Sequence, residues 1–291
     1  MSEPAPSLAP VTPPRPRASI PWIENRAPRG WLRLATVREL WSFRELAYAL
    51  ALKDLSVRYK QTFFGIAWAV LQPVLAVIVF TVLFDRLVGV PADGLPYAVF
   101  AYAGMILWLY VAGATTAAAL SLVDNRELVS KVYFPRGLAP LAAVVPGLVD
   151  LAASLAILVV LMVVYGVTPG IAVLLTPLWI AAAALVAIAV GFSLCALNVK
   201  YRDVKHALGL GIQLWFFATP VVYPSSLVES AWRYVYALNP MVGIVDGFRW
   251  SVLGAPAPGG EVLVSLGAAV VLAVAGVLWF HRVERHVADL I

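Results

Sequence analysis

Of the 291 residues, 62% are hydrophobic and only 13% charged, and the mean hydropathy is +0.88. An ordinary soluble domain carries about 25% charged residues, so this balance excludes a water-soluble globule and describes a chain whose apolar surface is solvated mostly by lipid. The net charge is +5; its distribution matters more than its sum, and no nucleic-acid partner is expected.

Residues 1–35 hold eight prolines and five arginines with no apolar run. They predict a disordered, solvated cytoplasmic tail with at most a weak attraction to anionic headgroups, not a signal peptide. Residues 36–63 predict an interfacial helix. Thr36 and Glu39 have capping-box spacing. Val37, Trp41, Tyr48, Leu52, Leu55 and Tyr59 then recur on one face, with Arg38, Glu45, Lys53 and Lys60 beside them. Phe43, Leu46 and Leu50 form a second apolar strip, which predicts membrane on one side and protein on the other.

Residues 64–285 predict an all-α, six-span membrane domain. Crossing the hydrocarbon takes roughly 20 apolar residues, and six stretches meet or approach that length: about 65–84, 97–122, 138–165, 171–197, 207–222 and 262–280. With the N-terminus in the cytoplasm, 18 Lys and Arg fall inside, against three (Arg86, Arg233, Arg249) outside. The positive-inside rule therefore predicts both termini, including residues 286–291, in the cytoplasm. The single cysteine, Cys195, lies in an apolar run and reads as a small buried hydrophobe.

Residues 58–73, RYKQTFFGIAWAVLQP, put cations against a greasy run that Gln72 and Pro73 then interrupt. Arg58 and Lys60 suit headgroup depth, and Tyr59, Phe63, Phe64 and Trp68 bridge into the bilayer. The collar is either an ordinary aromatic belt or a pore mouth lined with flat rings. Residues 122–140, LVDNRELVSKVYFPRGLAP, predict a short helix capped by Asp124 or Asn125 and stopped at Pro135. Arg126, Glu127 and Lys131 lie on its exposed side. It is either a solvated surface helix or a handle for a cytosolic partner.

Asp150 is an ionisable group in mid-span and hence a functional candidate, or else a carboxyl that is protonated or simply bonded to a neighbouring helix. Beyond Tyr223, Ser225 or Ser226 predicts the cap of a helix ending near Leu238, and a second helix is predicted over Pro240–Leu253 before Gly254. Trp232, Tyr234, Tyr236 and Trp250 suit an outer interface. There is no phosphate loop, dinucleotide fingerprint or zinc-protease motif, and His206, His281 and His286 lack metal-ligand spacing. No metal site or catalytic residue is therefore assigned, and any energy input is expected from a partner.

Four stretches carry a family resemblance: RYKQTFFGIAWAVLQP; SKVYFPRGLAP at 130–140; NVKYRDVKH at 198–206; and NPMVGIVDGFRW at 239–250. The chain from about 40 to 285 resembles the permeases of type-2 ABC exporters, in the branch that moves lipid-linked polysaccharides such as O-antigen, capsule and teichoic acid. Gly137 departs from the pattern, where a larger residue is more usual, so a looser end to the coupling helix is expected. The Pro-rich tail is also not a hallmark of that branch.

The resemblance implies a homodimer in the cytoplasmic membrane with two cytosolic ATPase subunits, which would hold the ATP and Mg; this chain would hold no cofactor. It implies that Arg126, Glu127, Lys131, Tyr133, Phe134 and Arg136, with Tyr201 and Arg202 in support, receive the ATPase stroke. A glycan on a polyprenyl diphosphate lipid would come in at Arg58, Tyr59, Lys60, Phe63, Phe64 and Trp68, and leave past Tyr223, Trp232, Tyr236 and Trp250. Three other readings stay open at this stage. They are an exporter of small hydrophobic molecules or lipids in the same superfamily, a secondary transporter, which should show inverted repeats, and a polyprenyl-lipid enzyme, which would need clustered acids or a metal motif.

Overall fold

The computed structural model describes residues 40–60, 67–132, 134–201 and 203–290, and among them every regular element is helical. In chain order these are α1 (Arg44–Lys60), α2 (Ala67–Phe80) continued by a π-helical Thr81–Val88, α3 (Tyr97–Asp124), α4 (Arg126–Lys131) and α5 (Leu138–Tyr165). A 3₁₀ turn, Ile171–Leu175, leads into α6 (Thr176–Lys200). Then follow α7 (Val204–Phe217), a 3₁₀ turn at Ser225–Leu227, α8 (Arg233–Tyr236), α9 (Pro240–Leu253) and α10 (Glu261–Leu290).

Five helical segments are long and apolar enough to cross a bilayer: Val70–Val88, Tyr97–Asp124, Leu138–Tyr165, Ile171–Lys200 and Glu261–Val283. They meet five of the six expected spans. The sixth, expected at 207–222, is α7, which has 14 residues. At about 1.5 Å per residue it covers roughly 21 Å, short of a hydrocarbon layer of about 30 Å. The reason is local. Thr219 donates its hydroxyl back to the Trp215 carbonyl (2.8 Å), and Pro220 follows, which has no N–H to extend the helix.

The centre of the bundle is α3. Nineteen of its 28 residues are buried, so it is apolar all round, as a helix enclosed by others must be. It packs against α2, α5, α6 and α9, while α6 also packs along α10. Close approach depends on small residues. A Cβ on Gly191 would meet Ala118, and one on Gly276 would strike the Ala189 carbonyl, which is how helices gain packing contact in lipid. A smaller core lies at the end of the bundle that carries α4. There Leu122, Phe134, Leu138, Phe192 and Phe280 meet, with Phe192 and Phe280 edge to face at 4.8 Å.

α1 lies along this end against α5. Its second apolar strip turns to protein: Leu50 is buried, and Phe43 and Leu46 pack against the smaller core. Trp41, Tyr48 and Leu52 of the first strip are exposed. The Thr36–Glu39 cap lies outside the described residues.

The segment before the last span departs most from expectation. Instead of one helix capped at Ser225 or Ser226, there is a 3₁₀ turn and the single-turn α8. α9 forms where expected. The Asn239 side chain accepts from the Met241 amide (3.1 Å), Pro240 opens the helix, and Gly254 closes it at φ 69°. Twelve of its 14 residues are buried, so it is a core element rather than a surface one.

Arg249 explains that burial. The charge census placed it outside, yet it is 1% exposed. Its guanidinium donates to the carbonyls of Phe100 (3.2 Å), Pro220 (2.7 Å) and Val221 (2.5 Å). It lies 3.6 Å over the Phe100 ring centroid, and Asp246 stands 3.9 Å away. One side chain thus satisfies carbonyls at the end of α7 and near the start of α3.

Arg249→Met is therefore expected to cost about 3 kcal/mol or more, because the stranded carbonyls lose charged donors. Arg249→Lys should rescue little, since an ammonium cannot reproduce the planar fork. The measurement is thermal unfolding of detergent-purified protein beside the yield of monodisperse material.

Candidate functional site

A cleft of about 600 Å³ opens between α1, α2, α3 and α5. Its polar lining comes from four elements: Arg58 and Tyr59 from α1, Gln72 from α2, Tyr110 and Thr116 from α3, and Asp150 and Ser154 from α5. Gly147, one turn before Asp150, makes the room, because a Cβ there would stand 3.1 Å from the Tyr110 ring. Pro73 inside α2 follows Gln72 directly, so the polar interruption seen in the sequence faces this cleft.

Arg58 Nη1 donates to Asp150 Oδ2 in an ion pair that joins α1 to α5. The pair is partly open, with side-chain exposures of 38% and 25%. The other Asp150 oxygen and the buried Tyr110 hydroxyl have no hydrogen-bond partner among the described residues. The cleft thus combines a cation, an acid and underused polar groups within apolar walls, a combination that orients a ligand carrying both a polar head and an apolar body.

A smaller cleft of about 300 Å³ adjoins it, lined by Asp54, Asp124 and Asn125 and sharing Arg58. Burial pushes the Asp54 carboxyl above its usual value of 3.8, the neighbouring charges of Lys53 and Arg58 draw it down, and Asp124 raises it. Lys53 Nζ donates to Asn125 Oδ1 (2.6 Å), and Asn125 Nδ2 to the Ser121 carbonyl (2.8 Å). Asn125 is the N-cap residue of α4, as its position suggested, but its side chain serves α1 and α3 rather than capping α4.

Other expected site residues fall into three groups. In α4, Arg126, Glu127 and Lys131 are exposed, with Glu127 and Lys131 paired at 3.7 Å. Phe134 instead points inward and is 4% exposed, so it pins the segment to the smaller core. Arg136 is half-buried, and Gly137 packs against the Phe192 and Phe280 rings. Tyr201 is exposed with Lys200 Nζ 5.1 Å from its ring centroid. Tyr133 and Arg202 lie outside the described residues.

Of the collar, Lys60 is exposed at the end of α1, and Trp68 has its backbone in α2. Phe63 and Phe64 lie outside the described residues. At the opposite end, the Tyr223 hydroxyl donates to the Phe217 carbonyl (2.9 Å) and lies 2.9 Å from the Tyr236 hydroxyl. Trp232 is exposed, and Trp250 packs half-buried on the main core. None of Tyr223, Trp232, Tyr236 and Trp250 lines the cleft that holds Arg58 and Tyr59.

The sequence reading missed Tyr110, Lys53 and Arg249 as site-building residues. Tyr110 carried a signal, being a phenol in mid-span close to Gly113 and Thr116. Lys53 and Arg249 carried none beyond their charge, because their partners lie 72 and up to 149 residues away.

The family model for the ABC-2 type transporter matches residues 45–253. The chain is 33% identical over 238 residues to a Myxococcus xanthus protein named O-antigen export system permease protein RfbA, covering 81% of this chain and 91% of that one. Two Klebsiella pneumoniae proteins of the same name are each 25% identical, over 254 and 252 residues, covering 85% of this chain and 95% of theirs.

Asp54 supplies a test by pH. A carboxyl whose folded pKa lies above its unfolded value favours folding when protonated, so stability falls as pH rises from about 3.8 through the folded value and stays lower above it. Asp54→Asn should therefore raise the unfolding temperature slightly at pH 7, and the gain should vanish below about pH 3.8. Thermal unfolding of both proteins across pH checks this.

Proposed function

The chain belongs to the ABC-2 type transporter family, and on that premise we propose that it forms the channel of an ATP-driven exporter of polysaccharide carried on a polyprenyl diphosphate lipid. It is a membrane subunit, a transport component, with five helices of spanning length among the described residues. The finer reading places it as a homodimer in the cytoplasmic membrane, termini inward, with two cytosolic ATPase subunits that bind ATP and Mg. The observation that supports this most is the cation-bearing cleft between α1, α2, α3 and α5, in a chain whose relatives bear the name of O-antigen export permeases.

The chemistry suits such a cargo. A lipid-linked glycan has an apolar tail, an anionic diphosphate and a long hydroxylated chain. Apolar helix faces receive the tail; Val159, Val160, Val163 and Val164 on α5 are all exposed. Arg58 and Lys60 offer charge to the diphosphate. Flat aromatic faces at both ends contact sugar C–H surfaces without trapping them.

The work stroke is received at α4. Its outer side is exposed and charged, suited to a partner surface. Its inner attachments are the bond from Lys53 of α1 to Asn125 and the packing of Leu128, Val129 and Phe134 on the core shared with α6 and α10. A push on α4 therefore reaches the helix bearing Arg58 and the helices of the bundle together.

Reversing charge at both Arg126 and Lys131 should lower export at least about ten-fold, the loss expected from removing roughly 1.4 kcal/mol of partner contact, with unfolding temperature unchanged. The assay is ATP-dependent transfer of labelled lipid-linked glycan across sealed vesicles holding the chain and its ATPase. Transfer by the chain without the ATPase would overturn the reading.

A further inference from the structure

Arg58 is surrounded by carboxylates. Asp150 holds it directly, and Asp54 and Asp124 line the smaller cleft on its other side. Among the described residues that line the larger cleft it is the one cation. An incoming anion therefore meets an arginine whose charge is already answered. Around it stand groups that are not: the second Asp150 oxygen and the Tyr110 hydroxyl, with Gln72 exposed beside them. A buried phenol without a partner is costly in an apolar wall and marks a place where a polar ligand atom is awaited.

We infer that Asp150 is an internal counter-anion that holds Arg58 in place of the substrate's diphosphate and yields it when the lipid headgroup arrives. This rests on the reading above that the cargo is a polyprenyl diphosphate, and it assigns Asp150 a positioning and regulatory role at that site. The guanidinium fork accepts either a carboxylate or a phosphate on two parallel N–H groups. The pair is partly exposed, so its own attraction is modest, and a diphosphate with more charge and more acceptor oxygens can win. Tyr110 and Gln72 then donate to the oxygens that Arg58 does not reach.

The exchange changes more than one contact. While Asp150 holds Arg58, α1 is fastened to α5. When the diphosphate takes Arg58, that ion pair is released and α1 is held by its apolar packing, through Leu50, Leu46 and the preceding Phe43. Lys53, five residues earlier and about 7.5 Å along the same helix, is bonded to Asn125 at the start of α4. The state of the cleft is thus communicated to α4, and an empty cleft keeps α1 in its docked position.

The test is binding by the full chain in lipid nanodiscs, with farnesyl diphosphate, farnesol and inorganic pyrophosphate as probes. The unaltered chain should bind farnesyl diphosphate in preference to farnesol. Asp150→Asn should bind farnesyl diphosphate about five-fold tighter, the scale of a partly exposed pair, with farnesol unchanged; a merely structural role would not move the two probes apart. Arg58→Gln should lose the preference, and Arg58→Gln with Asp150→Asn should behave as Arg58→Gln alone. That double variant removes both members of the ion pair and controls for folding; if Asp150→Asn does not assemble, Asp150→Ser carries the same expectation.

Farnesyl diphosphate binding no tighter without the Asp150 charge overturns the inference and leaves the proposed cargo standing. Pyrophosphate binding as well as farnesyl diphosphate overturns the assignment to a lipid headgroup. Absence of any diphosphate preference in every variant overturns the proposed cargo itself.

Discussion

Inside a bilayer a backbone carbonyl without a donor has no water to turn to, and the architecture of this chain follows from how one such set of carbonyls is satisfied. The chain leaves helical geometry at 218–224, within an otherwise apolar run. Arg249 receives the freed Pro220 and Val221 carbonyls, while Asn239 donates to the Ala218 carbonyl at 2.8 Å and accepts from Trp215 Nε1 at 3.0 Å. The break in α7, the cap of α9 and the top of α3 are therefore one hydrogen-bonded unit. An arginine there is tolerated because Phe100 and Asp246 compensate its charge.

The opposite end is built for a different purpose. Beside the smaller apolar core, its polar joints are side-chain pairs between separate elements, Lys53 with Asn125 and Arg58 with Asp150, and the latter is open to the cleft. Pairs of this kind are individually weak and exchangeable, whereas the Arg249 cluster is enclosed. A rigid knot at one end and exchangeable contacts at the other set the two ends of the bundle apart. Between them, small-residue packing of α3, α6 and α10 holds the bundle together without a water-driven core.

Much of the fold was legible in residue order. The expected spans at 97–122 and 138–165 meet α3 and α5 almost residue for residue, because length and hydropathy are what the bilayer demands of a spanning helix. α9 was announced by Asn239-Pro240 and Gly254, which encode its cap, first turn and left-handed close in local backbone chemistry. α7 falls short of spanning length because Thr219 and Pro220 end it, a stop encoded in those two residues rather than in the hydropathy of the run. Arg249 misled because a charge census assigns every arginine to an interface.

Sequence alone thus determined the class of the chain, its long helices and the charged face of α4, since each depends on neighbours in the chain or on the solvent around it. Which way Arg249 turns, which carboxylate holds Arg58, and that Lys53 meets the first residue before α4 were decided only by tertiary structure. Those contacts bridge 28 to 149 residues. No periodicity records such a distance, because it is the packing of whole helices that brings the partners within reach.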